Sequence, residues 1–363
     1  MRTWKLLWVV TVPALWCIGC AGGKSARIAP EVSPEPKALT RSCEGTIDSI
    51  TIGDSLTWPS VVLENEQLAV TVYVPNHRYG YYRSSRFDWS GMIGHVKHRG
   101  HVFYTDWQTP HDAGNPEHGI GPAEEFGMED PLGYEQAKPG EGFLKIGVGI
   151  LRKSAEPEKY FFNHPYDFVT PPLWSIRCGG QWIEFAQDIA LEPHAYHYVK
   201  RIALEGTRLV IEHTLENTGS AEIDTRVYCH NFTNIDGTPM GPSYRVEFPF
   251  DPMIDSSTLA AMEAFARLED GAIRFVKELG TKSVWANLKN LDGTAGDNGA
   301  TVINTATGGF VKIQGDRAPA LYNFWATGTA ACPEPFVPVT VGPGEQAEWT
   351  ITLTFGTTGE GGE

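Results

Sequence analysis

Apolar and polar residues alternate with a period of two along much of this chain, a pattern that puts successive side chains on opposite faces of a sheet. Val61 to Val74 predicts one or two strands, and Phe143 to Arg152 predicts another. Tyr196 to Leu204 and Arg208 to Leu215 flank Glu205-Gly206-Thr207 and together predict a hairpin. Asn217-Thr218-Gly219 supplies the next turn. Ala347 to Phe355 alternates cleanly and predicts the final strand, while the Gly- and Glu-rich stretch Gly356 to Glu363 predicts a frayed end. Ser257 to Leu268 is the one convincingly helical stretch. With 39 Gly and 25 Pro spread between such segments, the expected fold is an antiparallel all-β protein with long loops and no internal linker.

The first residues depart from this pattern. Arg2 and Lys5 precede an almost wholly apolar run, Leu6 to Cys17, which is too short to span a membrane comfortably and reads as an export signal. Cys17-Ile18-Gly19-Cys20 resembles a bacterial lipobox, with a small residue before a cysteine that becomes lipidated, although Cys17 stands where Leu is usual. The expectation is a signal peptide over residues 1–19, a lipidated Cys20, and a location in the bacterial cell envelope, anchored to a membrane. The alternative is an ordinary signal peptide cleaved after Gly19 or Ala21. Residues 20–42 carry three prolines between Ile28 and Lys37 and little to bury, so they read as an extended tether. A single large domain is expected over residues 43–363.

Charge and cysteine usage narrow the partners. A net charge of −15 argues against nucleic acid, which needs a basic footprint, and makes an anionic polysaccharide a harder ligand. Beyond the export segment, Cys43, Cys178, Cys229 and Cys332 allow either two disulfides or buried free thiols. His95, His98 and His101 invite a metal site, but in strands a spacing of three alternates faces, and Lys97 to Gly100 reads as a hairpin tip. No metal and no cofactor are expected.

Two segments carry the candidate chemistry. In the first, Arg226 to Asp236, a strand would put Arg226, Tyr228, His230 and Phe232 on one face and Val227 and Cys229 on the other. A histidine between polar and aromatic neighbours suits a ligand-facing wall and can give and take a proton near neutrality. In the second, Cys332-Pro333-Glu334-Pro335 precedes a Gly342-Pro343-Gly344-Glu345 turn and the last strand.

Taken together, His230-Asn231-Phe232 and Cys332-Pro333-Glu334-Pro335, each followed by the expected element, resemble the signatures of the aldose 1-epimerase (galactose mutarotase-like) family. The resemblance is good over residues 196–236 and 321–355 and loose between them. It implies a large antiparallel β-sandwich of the galactose mutarotase type, His230 as general acid and Glu334 as general base. Both groups would flank a sugar ring, with side chains about 5–8 Å apart. Tyr79 to Gly91 is dense in residues that bind sugars, among them Arg83, Arg86 and Trp89; its structural reading is an aromatic hairpin with an internal Arg86–Asp88 pair. Glu117 to Gly127 resembles a substrate loop in which His118 replaces the usual Arg, with Glu124 or Glu125 as a further acid/base group or hydroxyl binder. Arg83, Arg86, His118, Glu125 and Tyr228 are therefore the expected substrate binders.

Two rivals stand beside sugar epimerisation. One is a polysaccharide lyase or glycoside-cleaving enzyme on the same scaffold, with His or Tyr228 as base and Arg neutralising a uronate. The other is a non-catalytic, carbohydrate-binding lipoprotein. The anchor itself has a direct test. Cys20→Ser is expected to release the protein from membranes or to block its processing; unchanged membrane fractionation together with an unchanged mature mass would sink the lipobox reading.

Overall fold

The alternation is realised as strands throughout. A computed structural model describes residues 45–46, 58–170 and 172–359, and among these residues the strands form antiparallel sheets of eleven, six, four and two members. Cys20 and Cys43 lie outside the described residues. No helix among the described residues is long and apolar enough to cross a membrane.

Two sheets make the sandwich. The eleven-stranded sheet has His194–Glu205, Arg208–Asn217 and Gln346–Thr357 at its centre. The six-stranded sheet runs, in order, Met253–Ile254, Ser283–Lys289, Leu321–Thr327, Ala330–Val341, Ile223–Phe232 and Gly121–Phe126. Ile202, Ile211, Val311 and Leu353 of the large sheet share one buried cluster with Ala286, Tyr322 and Phe324 of the smaller. Tyr198, Leu215 and Trp349 share another with Phe126, Val227 and Val337. Odd-numbered Val227 and Val337 thus face the interior. Even-numbered Tyr228, His230 and Glu334 face outward, as the alternation predicts.

The expected hairpin is present, with Glu205 opposite Arg208 and Gly206 in the left-handed region at φ 60°. Val61 to Val74 forms two strands, Ser60–Glu64 and Ala69–Tyr73, joined where the Asn65 side chain accepts from the amides of Gln67 and Leu68. Three expectations need correction. Phe143 to Arg152 is not one strand but a tight pair, Gly142–Lys145 and Gly149–Arg152. The break falls at Gly147, at φ 76°, where a Cβ would lie 2.5 Å from Asp88 Oδ1. The helix covers only Ser256–Glu263, capped by Asp255, and the chain then pairs as Ala266–Glu269 with Ala272–Phe275. The tail is not frayed from its start, because Gly356 and Thr357 pair with Phe310 and Gly309. Cys229 and Cys332 are buried free thiols, which removes the reading with two disulfides.

A charged cluster lies between the two large sheets. Lys200 Nζ reaches Glu124 and, at 3.4 Å, Asp88 Oδ2. His213 Nε2 lies 2.9 Å from Glu124 Oε2, and its Nδ1 lies 3.1 Å from the Trp349 carbonyl. Tyr198 and Ser90 donate to Asp88. Burial alone would raise Glu124, but His213 and Lys200 override it and hold the carboxyl at about 2. Removing the shared cation leaves Asp88 in the interior without a cation and Glu124 with His213 alone. Lys200→Met is therefore expected to cost about 3–5 kcal/mol in urea unfolding, the range for one broken partner of a buried pair. A loss below about 1 kcal/mol would show that the cluster does not hold the sheets together.

Candidate functional site

The outer face of the six-stranded sheet floors a cleft of about 180 Å³. Its centre is a cross-strand pair. Tyr228 lies opposite Phe336, and an isolated bridge joins Thr233 to Ala331; the same register puts His230 opposite Glu334. The ladder lapses between these points, where Pro333 and Pro335 carry no N–H to donate. Asn231 fills part of the gap, its Nδ2 donating to the Pro333 carbonyl at 2.8 Å. On the other side Glu334 pairs with Asn323, and Asn323 in turn with Asn287.

His230 Nε2 and Glu334 Oε1 are 3.2 Å apart. They touch, which corrects the expected separation of about 5–8 Å. The contact has the geometry of an ion pair, yet neither group is charged at neutral pH. Burial raises the Glu334 carboxyl to about 8, helped by Glu125 and opposed by Arg86. Burial and the Arg86 charge push the His230 ring well below its ordinary value. The cause is visible around the imidazole, which stacks on Phe232 at 4.0 Å and meets Trp325 and Phe87 edge-on at 5.3 and 5.8 Å. A carboxyl that favours its proton thus lies within 3.2 Å of an imidazole that favours its neutral form.

Beneath the pair lies a second buried network. Arg86 Nε meets Glu125 Oε2 at 2.9 Å, and its Nη2 donates to the Tyr228 hydroxyl at 2.9 Å. Tyr228 donates to Glu125 at 2.7 Å, and Lys145 reaches the other Glu125 oxygen at 2.7 Å. Burial would raise Glu125, but Lys145 and Arg86 bring it below its ordinary value. Arg86 also donates to Asn163 Oδ1 at 3.1 Å, and Asn163 donates to Glu117 at 2.7 Å, carrying the network to the cleft rim.

The expected residues therefore divide. His230, Glu334, Arg86 and Tyr228 line the cleft together. Glu125 sits under it as the counter-charge of Arg86 and Lys145, not as an acid/base group, and Glu124 faces the other way, between the sheets. Arg83 is outside the cleft; its guanidinium donates to the Gly80 carbonyl and lies over Trp58. His118 is a loop residue whose Nδ1 accepts from the Asp112 amide at 2.9 Å. Tyr79 to Gly91 is a loop, not a hairpin, and the supposed Arg86–Asp88 pair does not form, since each has its own partners. His98 and His101 bind the Gln67 carbonyl and Asp236.

Several cleft residues escaped the sequence reading: Trp107, Glu117, Phe162, Asn163, Trp285, Asn323 and Trp325. Asn323 and Trp325 had a readable signal, because they alternate with the core residues Tyr322 and Phe324. Trp285 lies directly across from Trp325 and remains 45% exposed, a large apolar face left in solvent at the rim.

No protein-family profile matches the sequence, and no curated protein matches it. Solved structures do. The Slr1438 protein of Synechocystis sp. PCC 6803 aligns over 85% of this chain and 100% of its own, at 12% identity and a TM-score of 0.51. A candidate aldose 1-epimerase of Klebsiella pneumoniae aligns over 79% of this chain and 76% of its own, at 12% identity and a TM-score of 0.51. The galactose mutarotase related enzyme of Lactobacillus acidophilus covers 84% of this chain and 99% of its own, at 12% identity and a TM-score of 0.48. Identities this low speak of architecture alone, and it agrees with the sandwich built up from the strands: the chain shares the fold of the Slr1438 protein and of the candidate aldose 1-epimerase.

Proposed function

We propose that the cleft binds a sugar and interconverts its anomers, with Glu334 as general base and His230 as general acid. The observation that carries this reading is the placement of Glu334 and His230 3.2 Å apart in an aromatic-walled cleft, with burial favouring the neutral form of each. Moving the Glu334 proton to His230 yields a carboxylate and an imidazolium with no change in net charge. The carboxylate then takes the anomeric hydroxyl proton, the bond from C1 to the ring oxygen breaks, and the imidazolium protonates that oxygen. Rotation about C1–C2 and reversal of the steps give the other anomer. Arg86 favours the carboxylate electrostatically. Trp107, Trp285 and Trp325 offer faces on which a pyranose stacks, and Asn163 and Asn323 offer polar contacts.

The lyase rival loses support at its base. Burial pushes the Tyr228 phenol well above its ordinary value and its proton is directed to Glu125, while Arg86 is already matched by that same carboxylate. The placement of this activity at a bacterial envelope, through Cys20, is part of the proposal and rests on the N-terminal pattern.

Glu334→Gln and His230→Asn are each expected to lower the catalysed rate of anomer exchange, followed by polarimetry or NMR on free aldoses, by roughly 10²–10⁴-fold. Full exchange activity in Glu334→Gln would assign the chemistry elsewhere. In the native protein kcat/KM is expected to fall as pH rises through about 8, where Glu334 loses its proton.

The same carboxyl makes a stability prediction. Its folded pKa of about 8 lies above its ordinary 4.5, so between those values the folded chain holds a proton that the unfolded chain releases. Its contribution to stability is thus fully present below about pH 4.5 and is lost as pH rises to about 8. Glu334→Gln, which cannot titrate, should gain stability over the native protein progressively between those limits in urea unfolding. A pH-independent difference would contradict the raised pKa.

A further inference from the structure

The cleft does not end at the His230–Glu334 pair. A second basin, of about 320 Å³, is lined by Glu129, Asp130, Asp224, Arg226, Phe336 and Pro338, and it shares Met128 and Asn323 with the first. The two adjoin along the sheet, whose strands set the direction from one to the other. On the strand Ile223–Phe232 the outward positions are Phe232, His230, Tyr228 and Arg226; on Ala330–Val341 they are Cys332, Glu334, Phe336 and Pro338. From the His230 row to the Arg226 row is four residues, or roughly 13 Å at about 3.3 Å per residue. That is longer than one hexose ring. Between the rows, Tyr228 and Phe336 stack face to face at 4.2 Å and 11°, which fixes both rings in place.

Asn323 marks the join. It is 8% exposed, yet of its two side-chain polar atoms only one is engaged, in a 2.9 Å bond with Asn287. Its Nδ2 has no partner in the chain and stays open to solvent, at a residue that borders both basins. Charge then sorts the occupant. Three carboxylates line the second basin against one guanidinium, and Arg226 is already bonded to Glu129 at 2.7 Å.

We propose that the groove takes an uncharged oligosaccharide, its terminal ring over His230 and Glu334 and its next ring over Phe336 in the second basin, with Asn323 bonding the linkage region. This rests on the sugar-binding reading of the first basin and adds the size and charge class of the ligand.

Isothermal titration of the full chain tests it, using D-glucose, D-galactose and D-mannose, their 1,4-linked di- and trisaccharides, and digalacturonate. At least one uncharged oligosaccharide is expected to bind ten-fold or more tightly than its monosaccharide. Pro338→Trp, at an exposed position, fills the second basin and should bring that ratio toward one; Arg226→Ala, also solvent-accessible, should reduce it if the tryptophan variant does not fold. Monosaccharide binding with no gain from a second ring overturns this inference and leaves the proposed activity standing. A preference for digalacturonate overturns the uncharged class. Failure of every sugar to bind overturns both.

Discussion

Two adjacent carboxylates, Glu124 and Glu125, organise this molecule. They occupy consecutive positions on a strand buried on both sides, so the pleat sends them to opposite faces of the six-stranded sheet. Neither can stay ionised there without a cation, and each has its own set. Glu124 meets Lys200 and His213 from the larger sheet, which fastens the two halves of the sandwich. Glu125 meets Lys145 and Arg86, which fixes the loop Tyr79 to Gly91 and the small strand pair at Gly147 against the cleft. One strand thereby couples the interior of the sandwich to the geometry of the site.

The consequence for the cleft is electrostatic. Charges below the floor are matched and locked, while burial favours the neutral forms of the groups at its surface, His230 and Glu334, which lie 3.2 Å apart. An aromatic wall buries this pair, and that burial raises the carboxyl and lowers the imidazole, so the carboxyl becomes the group that favours the proton. The contrast follows from partners: Glu125 has two cations within hydrogen-bond distance and is held low, whereas Glu334 has a neutral imidazole and is held high.

Much of this was legible in sequence, for identifiable reasons. The period-two alternation gave the strands, and their face assignment placed His230 with Tyr228 and Phe232 because parity within a strand depends on nothing outside it. The pair His230–Glu334 came from the resemblance of two short motifs. What failed depended on contacts remote in the chain. Arg86 looked able to pair with Asp88, two residues away, but tertiary partners took both. Phe143 to Arg152 looked like one strand because Gly147 is strained only by the approach of Asp88. Arg83 and His118 carried the right chemistry and no signal of the direction in which their loops would turn them. Trp285 came from a segment with no motif, and only strand pairing brings it to Trp325.

The register around Glu334 has a further implication for how such a chain can vary in length. His230 and Glu334 meet because two strands keep one count from Tyr228 to Thr233 and from Phe336 to Ala331, across a stretch where prolines have removed the ladder. A single residue inserted between those anchor points would turn Glu334 inward toward the side of Cys229, Val227 and Val337 and leave a proline facing the cleft. The long excursion between the strands carries no such parity. Length differences among proteins of this architecture should therefore gather in the connections and be absent from these two short runs, which act as a ruler with divisions of two.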